Sequence, residues 1–390
     1  MKHRIQTFNT ISDRGLSRFD PTLYTVGAEV EAPHAYILRS HKLHGAPVPD
    51  SLLAVARAGA GYNNIPVGAL TRRGIVVFNT PGANANAVKE LVAAGLFLSA
   101  RGIYGGIRYV QSLAELRDPV ELAARLEQEK KRFAGTEVAG KTLGVIGLGA
   151  IGSMVANMAL ELGMRVIGFD PAISVEAAWR LSSRVEKVDS LQALLGEVDY
   201  LTVHVPANEQ TRGLLNSEML ATVKPGARLL NFAREHVVEV PAVLAALDSG
   251  RLSRYVTDFP SPELFGRDDI LLLPHIGAST VEAEENCAVM AADQLMDFLK
   301  NGNVVNSVNF PTTQMRRNGG RRITFSNENV PRVLGSVLSV LADRDINVID
   351  MVNRSRGDAA YNIIDVETEP DAEALEEIRR AEGVIRVRLV

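Results

Sequence analysis

Lys141-Thr142-Leu143-Gly144-Val145-Ile146-Gly147-Leu148-Gly149-Ala150-Ile151-Gly152-Ser153 is the stretch whose reading decides the fold. Residues 143–146 form an apolar run of the length of a buried strand, and 153–162 continue with helical spacing. Between them Gly147, Gly149 and Gly152 fit G-x-G-x-x-G. The next apolar run, 165–170, ends on Asp170, eighteen residues past Gly152. A glycine turn between strand and helix, followed by an acid at the end of the next strand, is the context a dinucleotide site needs. The glycines allow a tight turn and let backbone N–H groups approach a pyrophosphate at a helix N-terminus. Asp170 is placed to accept hydrogen bonds from ribose hydroxyls and to repel a 2′-phosphate, which favours NAD over NADP.

Outward from this stretch, residues 141–274 alternate strands (142–147, 165–170, 200–205, 227–232, 254–258, 270–273) with helical segments. That rhythm predicts a doubly wound parallel sheet covered by helices on both faces. Upstream, residues 35–38 and 74–78 read as strands, 59–61 as a glycine loop, and 84–101 as a long helix with Val88, Leu91, Val92, Gly95 and Leu96 on one face. A charged segment, 115–132, reads as a helix and then a loop. Downstream, an amphipathic helix follows Ser279. Residues 311–320, with Pro311 and the Gly319-Gly320 pair, read as a linker and hinge. The last 70 residues give the order βαββαβ, a small ferredoxin-like α+β module.

Composition narrows the classes. The 390 residues suit two or three domains, and a net charge of −4 excludes a polycation binding nucleic acid by bulk charge. With 46% hydrophobic and 23% charged residues the chain is globular rather than disordered. The single cysteine, Cys287, excludes an internal disulfide framework and a multi-cysteine zinc site, and no metal is expected. No signal-peptide core and no apolar run of membrane-spanning length occur, so a soluble cytoplasmic chain is expected, with neither membrane nor nucleic acid as partner.

Three candidate catalytic residues follow the glycine turn. Arg234 comes just after the strand 229–232, Glu263 in the loop after Asp258, and His275 after Leu271-Leu272-Leu273-Pro274. All three sit beyond strand C-termini, where open α/β sheets bind ligands. An arginine to hold a carboxylate, a histidine to exchange a hydroxyl proton and an acid to orient it are the groups that hydride transfer between NAD and a 2-hydroxy acid requires. His204, in Val203-His204-Val205-Pro206, reads as lining the cofactor cleft rather than as the acid/base.

With these residues the chain resembles the D-isomer-specific 2-hydroxyacid dehydrogenases. The resemblance is carried by Arg57-Ala58-Gly59-Ala60-Gly61, the glycine turn, His204-Val205-Pro206, Asn231-Phe232-Ala233-Arg234 and Pro274-His275-Ile276-Gly277-Ala278-Ser279-Thr280. It implies Arg234, Glu263 and His275 as the catalytic trio. It also places Ala150, Ile151, Val205, Phe232, Ala233, Asp258, Gly277 and Ala278 against NAD, with Asp258 near the nicotinamide carboxamide. The family fold implies a Rossmann-type NAD-binding domain (87–279) inserted in a flavodoxin-like substrate-binding domain (1–86 and 280–310), with both ligands in the cleft between them. The segment 311–320 is then the linker, and 321–390 resembles an ACT regulatory domain. One departure is Glu235, where the family usually has glycine.

A phosphorylated hydroxy acid needs a cationic pocket opposite the arginine that holds its carboxylate. Arg39, Ser40 and Arg57, alongside Arg234, are the candidates, and matching positions contact a substrate phosphate in relatives. The resemblance thus implies oxidation of 3-phospho-D-glycerate to 3-phosphohydroxypyruvate, the first step of L-serine biosynthesis. The alternatives are a reductase for an unphosphorylated 2-oxo acid such as glyoxylate or hydroxypyruvate, and a non-catalytic nucleotide-sensing scaffold. In serine-regulated relatives the positions of Asn327, Asn329 and Asn347 bind L-serine across a dimer of modules, and asparagine amides suit the two charged ends of an amino acid. Arg332 stands where those relatives have glycine. A homodimer or homotetramer is expected.

Overall fold

The strands that a hydrophobic pattern reveals least open the chain. The computed structural model describes residues 2–390, and the first five strands are β1 (His3–Thr7), β2 (Tyr24–Gly27), β3 (Ala35–Leu38), β4 (Ala54–Arg57) and β5 (Val76–Phe78). They form one parallel sheet in the order β2-β1-β3-β4-β5. In β1, His-Arg-Ile-Gln-Thr, only Ile5 is buried, which is why it is invisible to an apolar-run search. The helix Val281–Asn301 lies against this sheet, burying Ala288, Ala291, Ala292, Leu295, Phe298 and Leu299. Thr280 caps its start by accepting from the Ala283 N–H at 3.1 Å. Gly302, at φ +72°, ends it.

Residues Ala85–Ser279 form a second unit, distinct from the one built by Met1–Asn84 and Thr280–Val390. Its strands are β6 (Thr142–Ile146), β7 (Arg165–Phe169), β8 (Glu186–Lys187), β9 (Tyr200–Val203), β10 (Ala227–Asn231), β11 (Leu252–Thr257) and β12 (Ile270–Leu272). All seven are parallel, in the order β12-β11-β10-β9-β6-β7-β8. This is the doubly wound arrangement expected, with the reversal between β6 and β9. The helix Ala85–Ala100 packs on β10, and a Cβ on Gly95 would meet the Leu230 side chain at 2.9 Å. The helices Ile103–Ser112 and Pro119–Glu129 bury no residue, and Tyr104, Ile107 and Val110 lie open on the first of them. No helix among the described residues is long and apolar enough to cross a membrane.

The C-terminal module returns to the first unit. Its strands β13 (Arg321–Glu328), β14 (Val348–Arg356), β15 (Ala359–Val366) and β16 (Val384–Leu389) pair antiparallel in the order β14-β15-β13-β16. The helices Val333–Ala342 and Ala372–Arg380 cover one face through Val337, Leu341, Ala374 and Ile378. All eight residues of β15 are buried, because Tyr361 and Ile363 on its other face join Ile5, Phe78, Phe298 and Phe310 in the core of the first sheet. The Tyr361 hydroxyl donates to the Gly302 carbonyl at 2.8 Å.

The stretch 311–320 is not loose chain along its whole length. Thr313 and Met315 are buried, and Val304 and Thr313 exchange backbone hydrogen bonds at 2.8 and 2.9 Å. Only the end of the stretch, Gly319 (φ +98°) and Gly320 (φ +39°), is exposed with glycine-type backbone. What fixes it is Arg322, fully buried, which donates to both oxygens of Asp365 at 2.6 and 2.7 Å. Its remaining N–H groups donate to the carbonyls of Asn301, Met315 and Arg316. Asp365→Ala therefore leaves an uncompensated buried guanidinium and is expected to cost about 3–5 kcal/mol, read as a lowered midpoint in chemical denaturation. The double variant Arg322→Met/Asp365→Leu is expected to recover most of that loss.

Candidate active site

Each glycine of the turn after β6 has a different physical reason to be there. Gly147 sits at φ +87°, and a Cβ on it would meet the His204 carbonyl oxygen at 2.8 Å and Val205 at 2.9 Å. A Cβ on Gly152 would stand 1.8 Å from the Gly147 carbonyl oxygen, so this glycine lets the helix Ala150–Glu161 close on the strand. A Cβ on Gly149 would meet nothing within 4 Å. Gly149 is the N-cap of that helix and offers no side chain to its first N–H groups. The result is an uncapped helix N-terminus with open space above it, the cradle a pyrophosphate fits.

Asp170 follows β7 directly. One of its carboxylate oxygens accepts from the Leu148 N–H at 2.8 Å and the other from the Ala172 N–H at 2.9 Å. The acid thus braces the glycine turn, and each oxygen keeps acceptor capacity for ribose hydroxyls. His204 follows β9, with Nε2 2.9 Å from the Thr202 hydroxyl and Nδ1 buried without a partner. Burial pushes its pKa down to about 3, so the ring stays in its neutral form, with a proton on one nitrogen only, at physiological pH.

The loops after β10, β11 and β12 carry the remaining residues. Asn231, fully buried, accepts from the Ala233 N–H and donates to the Arg234 carbonyl, both at 3.1 Å. This closes the turn on which Phe232 and Ala233 are buried and Arg234 is turned outward. Arg234 has no carboxylate partner among the described residues; one of its Nη groups donates to the Ala233 carbonyl at 2.6 Å. Asp258, 1% exposed, accepts from the Gly277 N–H through one oxygen at 2.9 Å, while its other oxygen is buried with no partner. Burial raises its pKa, against a smaller downward pull from the Gly277 amide and then the charges of His275 and Arg234. Asp258, Arg234 and His275 are therefore neighbours. The partnerless oxygen suits an amide N–H₂ such as a carboxamide offers, so the residues present fit NAD at both ends of the site.

His275 stands at φ +52°, a left-handed conformation unusual for histidine, and is exposed. The N–H of Gly277, bonded to Asp258, ties the loop down two residues further on, and the Phe259 ring meets the imidazole edge-on at 4.9 Å. Glu263 departs from expectation. It lies exposed on the short turn Pro262–Leu264, and no ion pair or hydrogen bond joins it to His275 among the described residues. Its own backbone amide holds its carboxyl below the usual range, so it is anionic. The clamp made by Asn231 went unread in the sequence, because asparagine after a strand carries no signal until its partners are known.

In the other unit, Arg39, Ser40 and Arg57 gather at the C-terminal ends of β3 and β4. The Arg57 Nε donates to the Arg39 carbonyl at 3.1 Å, and the guanidinium lies over Gly59, whose Cβ would be 1.8 Å from Nη1. The Ser40 N–H donates to the Asn9 side chain at 3.1 Å. Arg39 is paired with Glu284 at 2.7 Å. In the module the expected effector residues fare unequally. Asn327 is buried with both ends of its amide engaged, donating to the Glu328 carbonyl and accepting from Asn362 at 2.7 Å. It serves the sheet rather than presenting a free ligand group. Asn329 and Asn347 are exposed, with the Asn329 amide donating to the Gly357 carbonyl at 3.0 Å. Arg332 takes φ +79°, the conformation that favours glycine.

Residues 108–277 match the D-isomer specific 2-hydroxyacid dehydrogenase, NAD binding domain, and 321–383 match the ACT domain. The chain is 33% identical over 356 residues to the D-3-phosphoglycerate dehydrogenase of Escherichia coli K12, covering 87% of this chain and 82% of that protein. It is 33% identical over 309 residues to that of Methanocaldococcus jannaschii, covering 78% and 56%. Among solved structures, the apo D-mandelate dehydrogenase of Rhodotorula graminis superposes with a TM-score of 0.65 at 27% identity, covering 81% of this chain and all of that one. The NAD⁺-bound 3-phosphoglycerate dehydrogenase of Entamoeba histolytica, at 24% identity and a TM-score of 0.60, covers 79% of this chain and 99% of that one and shares the fold. The chain belongs to the D-isomer-specific 2-hydroxyacid dehydrogenases. It is an NAD-dependent dehydrogenase of that family with an ACT domain at its C-terminal end.

Because a side chain at 149 meets no protein atom, Gly149→Val is expected to leave the melting temperature nearly unchanged while weakening NADH binding by roughly tenfold or more, read by fluorescence titration. Gly152→Ala, which would collide with backbone, is expected to lower the melting temperature as well.

Proposed function

We propose that the chain oxidises 3-phospho-D-glycerate to 3-phosphohydroxypyruvate with NAD, the entry step of L-serine biosynthesis. The observation that carries this reading is the outward, carboxylate-free Arg234, which with His275 lies within electrostatic reach of Asp258, in a chain that shares a third of its residues with 3-phosphoglycerate dehydrogenases over most of its length. NAD, when bound, accepts the hydride leaving the carbon that bears the hydroxyl. Arg234 binds the substrate carboxylate and polarises the neighbouring carbon–oxygen bond. His275 takes the hydroxyl proton on an imidazole nitrogen as the carbonyl forms, and returns it in the reverse direction. Glu263, anionic and exposed on the turn Pro262–Leu264, is the acid that orients the imidazole once the turn brings the two together. Arg39, Ser40 and Arg57 supply the positive charge and hydroxyl that a phosphate ester requires, which an unphosphorylated acid does not.

The uncovered helices Ile103–Ser112 and Pro119–Glu129 favour a second copy of this chain as partner, since an exposed stripe of Tyr104, Ile107 and Val110 is costly to leave in water. For the module we infer amino-acid sensing, with L-serine as ligand and Asn329 and Asn347 as its polar contacts, in a cytoplasmic enzyme. Asn329 and Asn347 are exposed on the loops that meet the ends of β13 and β14.

The deciding experiment follows NADH oxidation with 3-phosphohydroxypyruvate, hydroxypyruvate and glyoxylate, each with and without millimolar L-serine. A higher kcat/KM for the phosphorylated acid, depressed by serine, is expected. Preference for an unphosphorylated acid overturns the substrate, and indifference to serine overturns the effector. His275→Ala is expected to lower kcat by about 10²–10⁴-fold while NADH binding survives. A near-normal kcat in that variant would assign the proton to another group.

A further inference from the structure

We propose that the first sheet carries a second anion site at its N-terminal edge, built by His3, His34, Lys300 and Arg388 for a ligand bearing a phosphate dianion. A cavity of about 450 Å³ opens there, with Leu53, Leu299, Leu389 and Val390 completing its lining and no Asp or Glu side chain in it. It is not the substrate region. In a parallel sheet all strands begin at one edge; His3 opens β1, and His34 and Leu53 lead into β3 and β4. Arg39, Ser40 and Arg57 lie at the other edge, a strand length of about 13 Å away.

The positive charge is gathered from every element that meets at this edge. Arg388 comes from β16, Lys300 from the last turn of Val281–Asn301, His3 and Arg4 from β1, and His34 from the segment before β3. The guanidinium of Arg388 lies 4.4 Å over the Phe298 ring and donates to the carbonyls of Phe298 and Leu299 at 3.2–3.5 Å. Those carbonyls end a helix and offer partial negative charge, but no carboxylate pairs with Arg388 among the described residues. The Arg4 Nε is likewise buried without a partner, and its Nη2 is 3.4 Å from the His34 Nε2. The acids near this edge already have partners: Asp20 and Asp297, which border Lys300 in a neighbouring pocket, accept from Thr22 and from Asn301 and Asn303. Asp50 binds Arg73 through its side chain at 2.8 Å and Arg386 through its carbonyl at 2.6 Å. A helix-capping role accounts for Arg388 alone. It does not account for a lysine and two histidines lining the same half-open cavity, with Arg4 behind His34 and no acidic side chain among them.

The His3 imidazole makes the site proton-linked. The His34 Nδ1 accepts from the Arg4 N–H at 3.1 Å, which fixes the neutral tautomer with its proton on Nε2. His3, stacked edge-on against His34 at 5.8 Å and tilted against Tyr24 at 5.6 Å, has no such constraint. Burial and then the Arg388 charge hold His3 below the usual histidine range; burial and then Arg4 do the same for His34. A dianion in the cavity opposes that repulsion and raises the imidazole pKa. The bound form then holds more protons than the free form, so affinity rises as pH falls. A ligand here touches the sheet, the helix end and β16 together, and thereby holds the module against the sheet.

The test is isothermal titration of the full chain with inorganic phosphate and, separately, glycerol 3-phosphate, in buffers of different ionisation enthalpy. Saturable binding with net proton uptake, tighter at pH 6.5 than at pH 8, is expected. Equal affinity for the two probes identifies free phosphate as sufficient, and tighter binding of the ester identifies a phosphorylated metabolite; both support the site. Arg388→Met is expected to abolish binding. Since that variant risks the fold, His3→Ala and Lys300→Ala carry the test independently. Each is expected to weaken binding by roughly tenfold with unchanged turnover, and His3→Ala to remove the proton uptake. Absence of binding by the wild-type chain at about 10 mM phosphate, or unchanged affinity in both single variants, overturns the proposal.

Discussion

Every strand of the seven-stranded sheet points the same way, and this constraint assembles the candidate site. A parallel strand can be followed by its neighbour only through a crossover, so each strand ends in a loop at a single edge. At that edge stand Gly147 after β6, Asp170 after β7, His204 after β9, Arg234 after β10, Asp258 after β11 and His275 after β12. These six residues span 147 to 275 in sequence, yet the direction of the strands alone gathers them. Asp258 then does locally what the sheet does globally. Its buried carboxylate accepts the Gly277 N–H and so ties the loop of one strand to the end of the next.

Charge placement follows burial. His204 and His275 both follow strands of the same sheet, yet His204 is kept neutral by its buried setting while His275 stands exposed beside Arg234 and Asp258. Two histidines of equal chemistry thus receive different roles from solvent access alone. Asp170 is half-open and serves two masters, the glycine turn and a diol. Asp258 is closed, with one oxygen reserved for a donor that the protein itself does not provide.

The module shows the opposite economy. Its β15 is buried on both faces, so the module belongs physically to the first sheet rather than hanging from it. Arg322 makes this possible, because a fully buried guanidinium must satisfy all its donors at once, and here it does so with Asp365 and three carbonyls that precede the module. Freedom is left only in Gly319 and Gly320.

By itself the sequence determined the doubly wound sheet, its glycine turn and Asp170, and the order of the C-terminal module. These rest on local periodicity and on backbone demands that only certain residues meet. Gly152 is needed because a Cβ there would stand 1.8 Å from the Gly147 carbonyl oxygen, and spacing alone announces it. Arg234 and His275 were legible for the same reason, since a charged residue directly after a buried apolar strand has one edge to occupy. The tertiary structure alone decided what depends on partners distant in the chain. The strands β1, β2 and β4 are too short or too polar to show as apolar runs; β1 and β4 pair with β3, β4 also with β5, and β2 with β1. Asn327 reads as a ligand group until Asn362, thirty-five residues on, occupies its amide oxygen. Glu263 reads as the partner of His275, and only the folded chain shows that the turn Pro262–Leu264 leaves the two side chains unbonded. A residue's type fixes what it can bond to, and only the folded chain fixes which of those bonds are already made.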